Sequence, residues 1–319
     1  MMTLTRLAYR IQRFELLAVA LLVAAVAVAA LVAREHLVSL TVATSCFSEL
    51  LSQGPMAGTE CVDSAQQFFV VDNSEAVPLM QAFGTVALVA GGLLGVGMVS
   101  RELETGTAGL AWALAGSRRQ WLFGRLMPIA AALIALLAVL AVTSDMLLAA
   151  RQPWVAPDQS LVDLDAHGWV LVLRGLVALL IGVLVGLVMG RTLPSVIVTT
   201  VAVAASALGG LMLSNLWLRA NITYTTENVN IVSMPGGHFF GTMSRGPDGV
   251  VIPDAVALSL APAGVDPGAW VAEHYENVYA VVPGTLLGQY TLLQAISAGA
   301  LLVLLMLVIL AVIERRRPS

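Results

Sequence analysis

Four histidines, two cysteines and no lysine set the chemistry open to this 319-residue chain. His36, His167, His238 and His274 stand far apart, and none forms an HExxH pair or a Cys/His group at metal-ligand spacing. A P-loop needs a lysine to reach the β/γ-phosphates, and all sixteen basic residues here are arginine. A standard ATPase site is therefore excluded, as is lysine Schiff-base chemistry. The sequence predicts no catalytic residue, no metal site and no cofactor on this chain. Asn221-Ile222-Thr223 has the form of a glycosylation acceptor and is read as chance.

The elements that carry these residues are set by hydropathy. The chain is 58% hydrophobic and 11% charged, against roughly 25% charged in soluble domains. Much of it must face lipid. The net charge of -4 comes without any basic domain or aromatic-basic ladder, which excludes nucleic acid as a partner. A bilayer core needs about twenty apolar residues per helix. Six stretches meet this: Leu16–Val32, Val77–Val99, Leu126–Ala150, Trp169–Met189, Pro194–Trp217 and Leu287–Ile313. The expected fold is an all-α membrane protein with six transmembrane helices.

Arginine placement predicts the orientation. With the N-terminus inside, Arg6, Arg10, Arg13, Arg101, Arg118, Arg119, Arg125, Arg191, Arg315, Arg316 and Arg317 are cytoplasmic. Arg34, Arg151, Arg219 and Arg245 fall outside, and both termini lie in the cytoplasm. Segment 1–15 alternates Leu4, Leu7, Ala8, Ile11 and Phe14 with Arg6, Arg10 and Arg13 at helical spacing. That spacing predicts an amphipathic interfacial helix, the alternative being ordinary flanking charge. The unit 16–217 holds spans one to five, with an exterior loop at 33–76. Segment 218–286 is read as a small extracellular cap, because "PGGHFFGTMSRGPDGVV" has the punctuation of turns between short strands. Residues 287–319 form the last span and a cytoplasmic tail. Cys46 and Cys61 share the first exterior loop, where a disulfide is expected; two unpaired thiols are the alternative.

One charged stretch interrupts the apolar sequence: "RELETGTAGLAWALAGSRRQWLFGRL", Arg101 to Leu126. Gly106 and Gly116 bracket Thr107–Ala115, a helix-prone run about 14 Å long, too short to cross a bilayer. Leu110 and Leu114 share a face, and Trp112 points elsewhere. Ser117 and Gln120 make a capping box that starts the next helix, and Pro128 is expected to bend that helix. The residues alone allow either a transverse cytoplasmic helix or a plain interfacial loop.

This stretch resembles the segment between the second and third spans of bacterial type-2 ATP-binding-cassette exporter permeases. The likeness rests on Arg101, Glu102, Glu104, Gly106, Thr107, Leu110, Ser117, Arg118 and Trp121, and "GTxxLAW" is similar to the actinobacterial branch. It implies a coupling helix within 101–120 that docks on a separate ATPase subunit, where ATP and Mg would be bound. Arg101, Glu102, Glu104, Gly106, Thr107, Leu110, Trp112, Leu114, Ser117, Arg118 and Arg119 are the contact residues it implies. It further implies a bacterial plasma-membrane exporter with two ATPase copies and a second permease chain, identical or homologous. No EAA…G importer signature is visible. Drug, peptide and lipid cargo stay equally open, and the rival reading is a membrane sensor or scaffold whose cap binds a ligand. The long segment before the last span departs from the family pattern.

Three smaller features complete the reading. Gly91 and Gly95, and Gly182, Gly186 and Gly190, have small-xxx-small spacing, which suits either bundle packing or a dimer contact. Asp145 and Arg174 sit at similar depths in consecutive spans; they either pair or snorkel separately to the headgroups. Thr199, Thr200 and Ser206 either face a path or bond back to their own helix.

Overall fold

The computed structural model describes residues 12–40, 42, 46, 59–115, 117–153, 155, 159–164, 166, 168–226 and 236–315. The chain is an all-α membrane protein in its body. Among the described residues, six helices are long and apolar enough to cross a membrane. In chain order the first elements are α1 (Arg13–Ser39), α2 (Thr59–Val71), a π-turn (Asp72–Ala76), α3 (Val77–Glu104), α4 (Ala108–Ala115) and α5 (Arg118–Arg151). Then follow α6 (Gly168–Met189), α7 (Thr192–Ala220), β1 (Thr223–Thr225), β2 (His238–Arg245) and β3 (Val251–Pro253). The short helices α8 (Asp254–Ser259) and α9 (Pro267–His274), strand β4 (Glu276–Val282), a 3₁₀ turn (Gly284–Leu286) and α10 (Leu287–Arg315) complete it.

Several boundaries differ from the expectation. Helix α1 runs on to Ser39 and helix is present from Thr59, so the loop expected over 33–76 is helical at both of its ends. Backbone hydrogen bonding simply continues beyond the length that lipid requires. The π-turn lets α2 run into α3 as one continuous span. The amphipathic segment expected at 1–15 lies largely outside the described residues. Helix α1 is already continuous from Arg13, with no break at 15/16. Helix α5 passes unbroken through Pro128.

The core is centred on α3 and α6, which lie backbone against backbone. A Cβ built on Gly182 would stand 2.5 Å from Gly92 O and 3.1 Å from Gly95 Cα. Only residues lacking a Cβ permit this approach, so the glycine stripes serve packing within one chain. Met80, Phe83, Leu94, Leu122, Ile129, Leu133 and Leu137 are fully buried around them. Helix α1 packs on α5 and α3, while α7 and α10 lie against α6.

Segment 223–282 folds differently. Its strands form an antiparallel sheet in the order β1-β4-β2-β3. The turn-rich stretch supplies β2, a turn closed by Gly246 N–H to Val250 O at 2.9 Å, and β3. Because α7 runs into β1 and β4 runs into α10, the sheet sits at the end of the bundle opposite α4.

Candidate docking site at the α4 end

Helix α3 stops in a turn dictated by glycine. Gly106 has φ +71°, donates to Leu103 O at 3.3 Å, and Thr107 donates to Glu102 O at 3.1 Å. This pair of bonds is a Schellman closure, which favours glycine at the left-handed position. The chain turns into α4, and Ser117 Oγ then accepts from Gln120 N–H at 3.1 Å to start α5. The eight residues of α4 therefore hang between two well-stopped helices.

Around α4 the charged residues find partners inside the chain. Glu102, 12% exposed, pairs with Arg125, whose guanidinium also lies 5.2 Å from the Trp121 ring. Glu104 accepts from Thr192 N–H at 3.0 Å and from Thr192 Oγ1 at 2.5 Å, at the first turn of α7. Arg101 pairs with Glu15 of α1 at 3.7 Å. Arg118 Nη1 donates to Ile313 O at 3.1 Å and Glu314 O at 2.9 Å, and Arg119 Nε donates to Glu314 Oε1 at 2.5 Å. One segment thus reaches the near ends of α1, α5, α7 and α10.

Trp112 is turned into the chain. It is 6% exposed, edge-on to Trp121 at 6.0 Å and stacked under Arg118 at 4.9 Å. Burying the indole against Trp121 gains more than leaving it in water. Glu102 is likewise turned inward. Leu110, by contrast, is 66% exposed. The Leu114 side chain lies outside the described residues. Thr107 continues the turn with its hydroxyl 3.0 Å from that of Thr105. Sequence reasoning missed Glu15, Arg125, Thr192, Ile313 and Glu314 as members of the cluster. The available signal was a charge or cap residue at each helix end facing the same side.

Among the described residues, this end holds buried polar atoms without hydrogen-bond partners: both side-chain polar atoms of Gln12, Glu15 Oε2, Glu102 Oε2, Trp112 Nε1 and Trp121 Nε1. Native interiors leave few such atoms, each costing about 1–3 kcal/mol.

Two other places bear on the expectations. A cavity of about 230 Å³ between α3 and α7 is lined by Thr85, Gly92, Val96, Val196, Thr199 and Val203 among others. Thr200 and Ser206 donate to Val196 O and Val203 O of their own helix, whereas Thr199 Oγ1 is buried without a hydrogen-bond partner among the described residues. At the sheet end, Arg151 is 8% exposed and bound by Asp72, at 2.5 Å, and by Asp163. Asp145 Oδ1 accepts from Gly168 N–H at 3.0 Å, and Arg174 lies beside Gly210. Cys46 and Cys61 form a disulfide with Cα atoms 5.4 Å apart. Among the described residues, no group of three or more His, Cys, Asp or Glu could hold a metal ion.

Residues 16–214 match the family model described as ABC-2 membrane transporter related. No curated protein and no solved structure matches the chain.

Proposed function

Since the chain belongs to the ABC-2 membrane transporter-related family and is a multi-pass membrane permease component of an ABC transporter, we propose that it works as the permease of an exporter driven by separate ATPase subunits. Two ATPase copies, which would hold ATP and Mg, dock at the α4 ends of two permease chains. The family is a non-catalytic transmembrane component, and the absence of lysine leaves no P-loop in these 319 residues. The orientation proposed is α4 and both termini in the cytoplasm of a bacterial plasma membrane, with the sheet and the Cys46–Cys61 bridge outside.

The observation that carries this reading is the contrast on α4. Its neighbours are tethered internally, yet Leu110 is offered to solvent on a short helix that buries Trp112 as its root. An apolar side chain held out on a braced helix suits an anchor in a partner's pocket. Solubilising the tagged chain from its native membrane tests this. A stoichiometric P-loop ATPase is expected in the eluate, and Leu110→Asp is expected to remove it while the permease stays folded. A wild-type eluate without ATPase would instead favour a sensor or scaffold.

A further inference from the structure

The inference rests on the permease reading and concerns how force would leave α4. Helices α7 and α10 are less buried than the α3–α6 pair, with Leu301, Leu302 and Leu305 of α10 packing on the cluster of Val177, Ala178 and Ile181 of α6 and Val203 of α7. The buried residues of α7 are Ser195, Thr199, Val203, Ser214 and Leu218, and no residue of α10 between Gln294 and Ile309 is buried. This contrasts with the glycine-locked α3–α6 pair.

At the sheet end the two helices are joined to each other. Gln294 Nε2 donates to Tyr290 OH at 2.7 Å and to Ser214 Oγ at 3.2 Å, and the Ser214 and Tyr290 hydroxyls are 2.6 Å apart. All three side chains are buried, so each bond is shielded from water. Strand β1, continuing α7, pairs with β4, which leads into α10, and Thr223 Oγ1 adds a bond to Val281 O at 3.0 Å.

At the α4 end each helix is held by a different residue of the charged segment. Glu104 holds the positive N-terminus of α7 through the Thr192 N–H and hydroxyl. Arg118 holds carbonyls of the last described turn of α10, those of Ile313 and Glu314. The same guanidinium lies on the Trp112 ring, so one side chain touches both α4 and α10.

We propose that Glu104 and Arg118 are positioning residues that transmit displacement of α4 to α7 and α10, and that these two helices move as one arm cross-braced by Ser214, Tyr290 and Gln294. Spin labels on exposed Leu93 (α3), Leu208 (α7) and Val303 (α10), in separate pairs, would follow this in the reconstituted permease–ATPase complex diluted with unlabelled chain. On trapping with ATP, the Leu93–Leu208 distance is expected to change and the Leu208–Val303 distance to stay constant. Glu104→Gln and Arg118→Lys are each expected to reduce the Leu93–Leu208 change by more than half, with ATPase still bound. A Leu208–Val303 change as large as the Leu93–Leu208 change, or full displacement in both variants, would overturn the inference. Thiol cross-linking of Ser214→Cys to Gln294→Cys supplies a second measure: MgATP turnover is expected to persist, and its loss counts against a single arm. A wild-type preparation lacking any ATPase would overturn the permease reading and this inference with it.

Discussion

Gly91 of α3 and Gly175 of α6 meet with no space for a side chain between them. A Cβ on Gly91 would fall on the Gly175 carbonyl oxygen and stand 3.0 Å from Leu179 N. The obstacle is backbone, so the helices themselves would have to separate. Gly91→Val is expected to destabilise the chain by about 1–3 kcal/mol or to prevent assembly. Gly209 of α7 has nothing within 4 Å of its Cβ position, and Gly209→Ala is expected to be neutral or stabilising. Thermal unfolding in detergent, followed by tryptophan fluorescence, distinguishes the two positions.

Arg151 carries the second prediction. Its guanidinium is buried between Asp72 of the π-turn and Asp163. Removing the cation leaves two partly buried carboxylates without their shared partner, and Arg151→Met is expected to cost about 3 kcal/mol. The triple variant Arg151→Met, Asp72→Asn, Asp163→Asn is expected to recover most of that loss. Equal destabilisation of the single and triple variants would show that the charges do not act together.

How much of this was legible in the sequence varies with the range of the interaction. The six spans were readable because twenty consecutive apolar residues have one stable solution in lipid. Their ends were less readable: Ser39, Thr59 and Arg118 lie beyond the apolar stretches, in residues whose helicity lipid does not demand. The Ser117 cap was local and visible. Arg118 with Ile313, or Glu104 with Thr192, joins residues 195 and 88 positions apart, a distance no periodicity encodes. Trp112 illustrates the same limit. Its face on α4 follows from spacing, but what covers that face depends on where Trp121 and Arg118 arrive.

Asp145 and Arg174 are expected to be coupled across the α5–α6 pair. The Asp145 carboxylate already accepts from Gly168 N–H at the start of α6, and a nearby cation would strengthen that acceptor. A double-mutant cycle of Asp145→Asn and Arg174→Gln is expected to give a coupling of at least about 0.5 kcal/mol in thermal stability. Additive single effects would sink the pair.

Thr199 offers a prediction of the opposite sign. Its hydroxyl is buried beside the α3–α7 cavity and has no hydrogen-bond partner among the described residues. Valine keeps the shape and removes the unsatisfied group, so Thr199→Val is expected to stabilise the chain by about 1 kcal/mol. A loss of stability in the ligand-free protein would show that the hydroxyl has a partner in solution.

His238 governs the pH dependence of the sheet. It opens β2 opposite Val282, half-buried, with its ring 4.8 Å from that of Phe240. Burial pushes the imidazole below its ordinary value of 6.5, since the charged form loses hydration there. The unfolded chain therefore binds the proton first as pH falls. Stability from this residue is fully present above 6.5, declines as pH drops below that value, and stops declining once the folded imidazole is itself protonated. Amide hydrogen exchange of β2 and β4, corrected for intrinsic rates, is expected to show protection falling through this window. His238→Gln is expected to flatten the profile, because glutamine has no proton to gain. An unchanged profile in that variant would assign the pH dependence to another group.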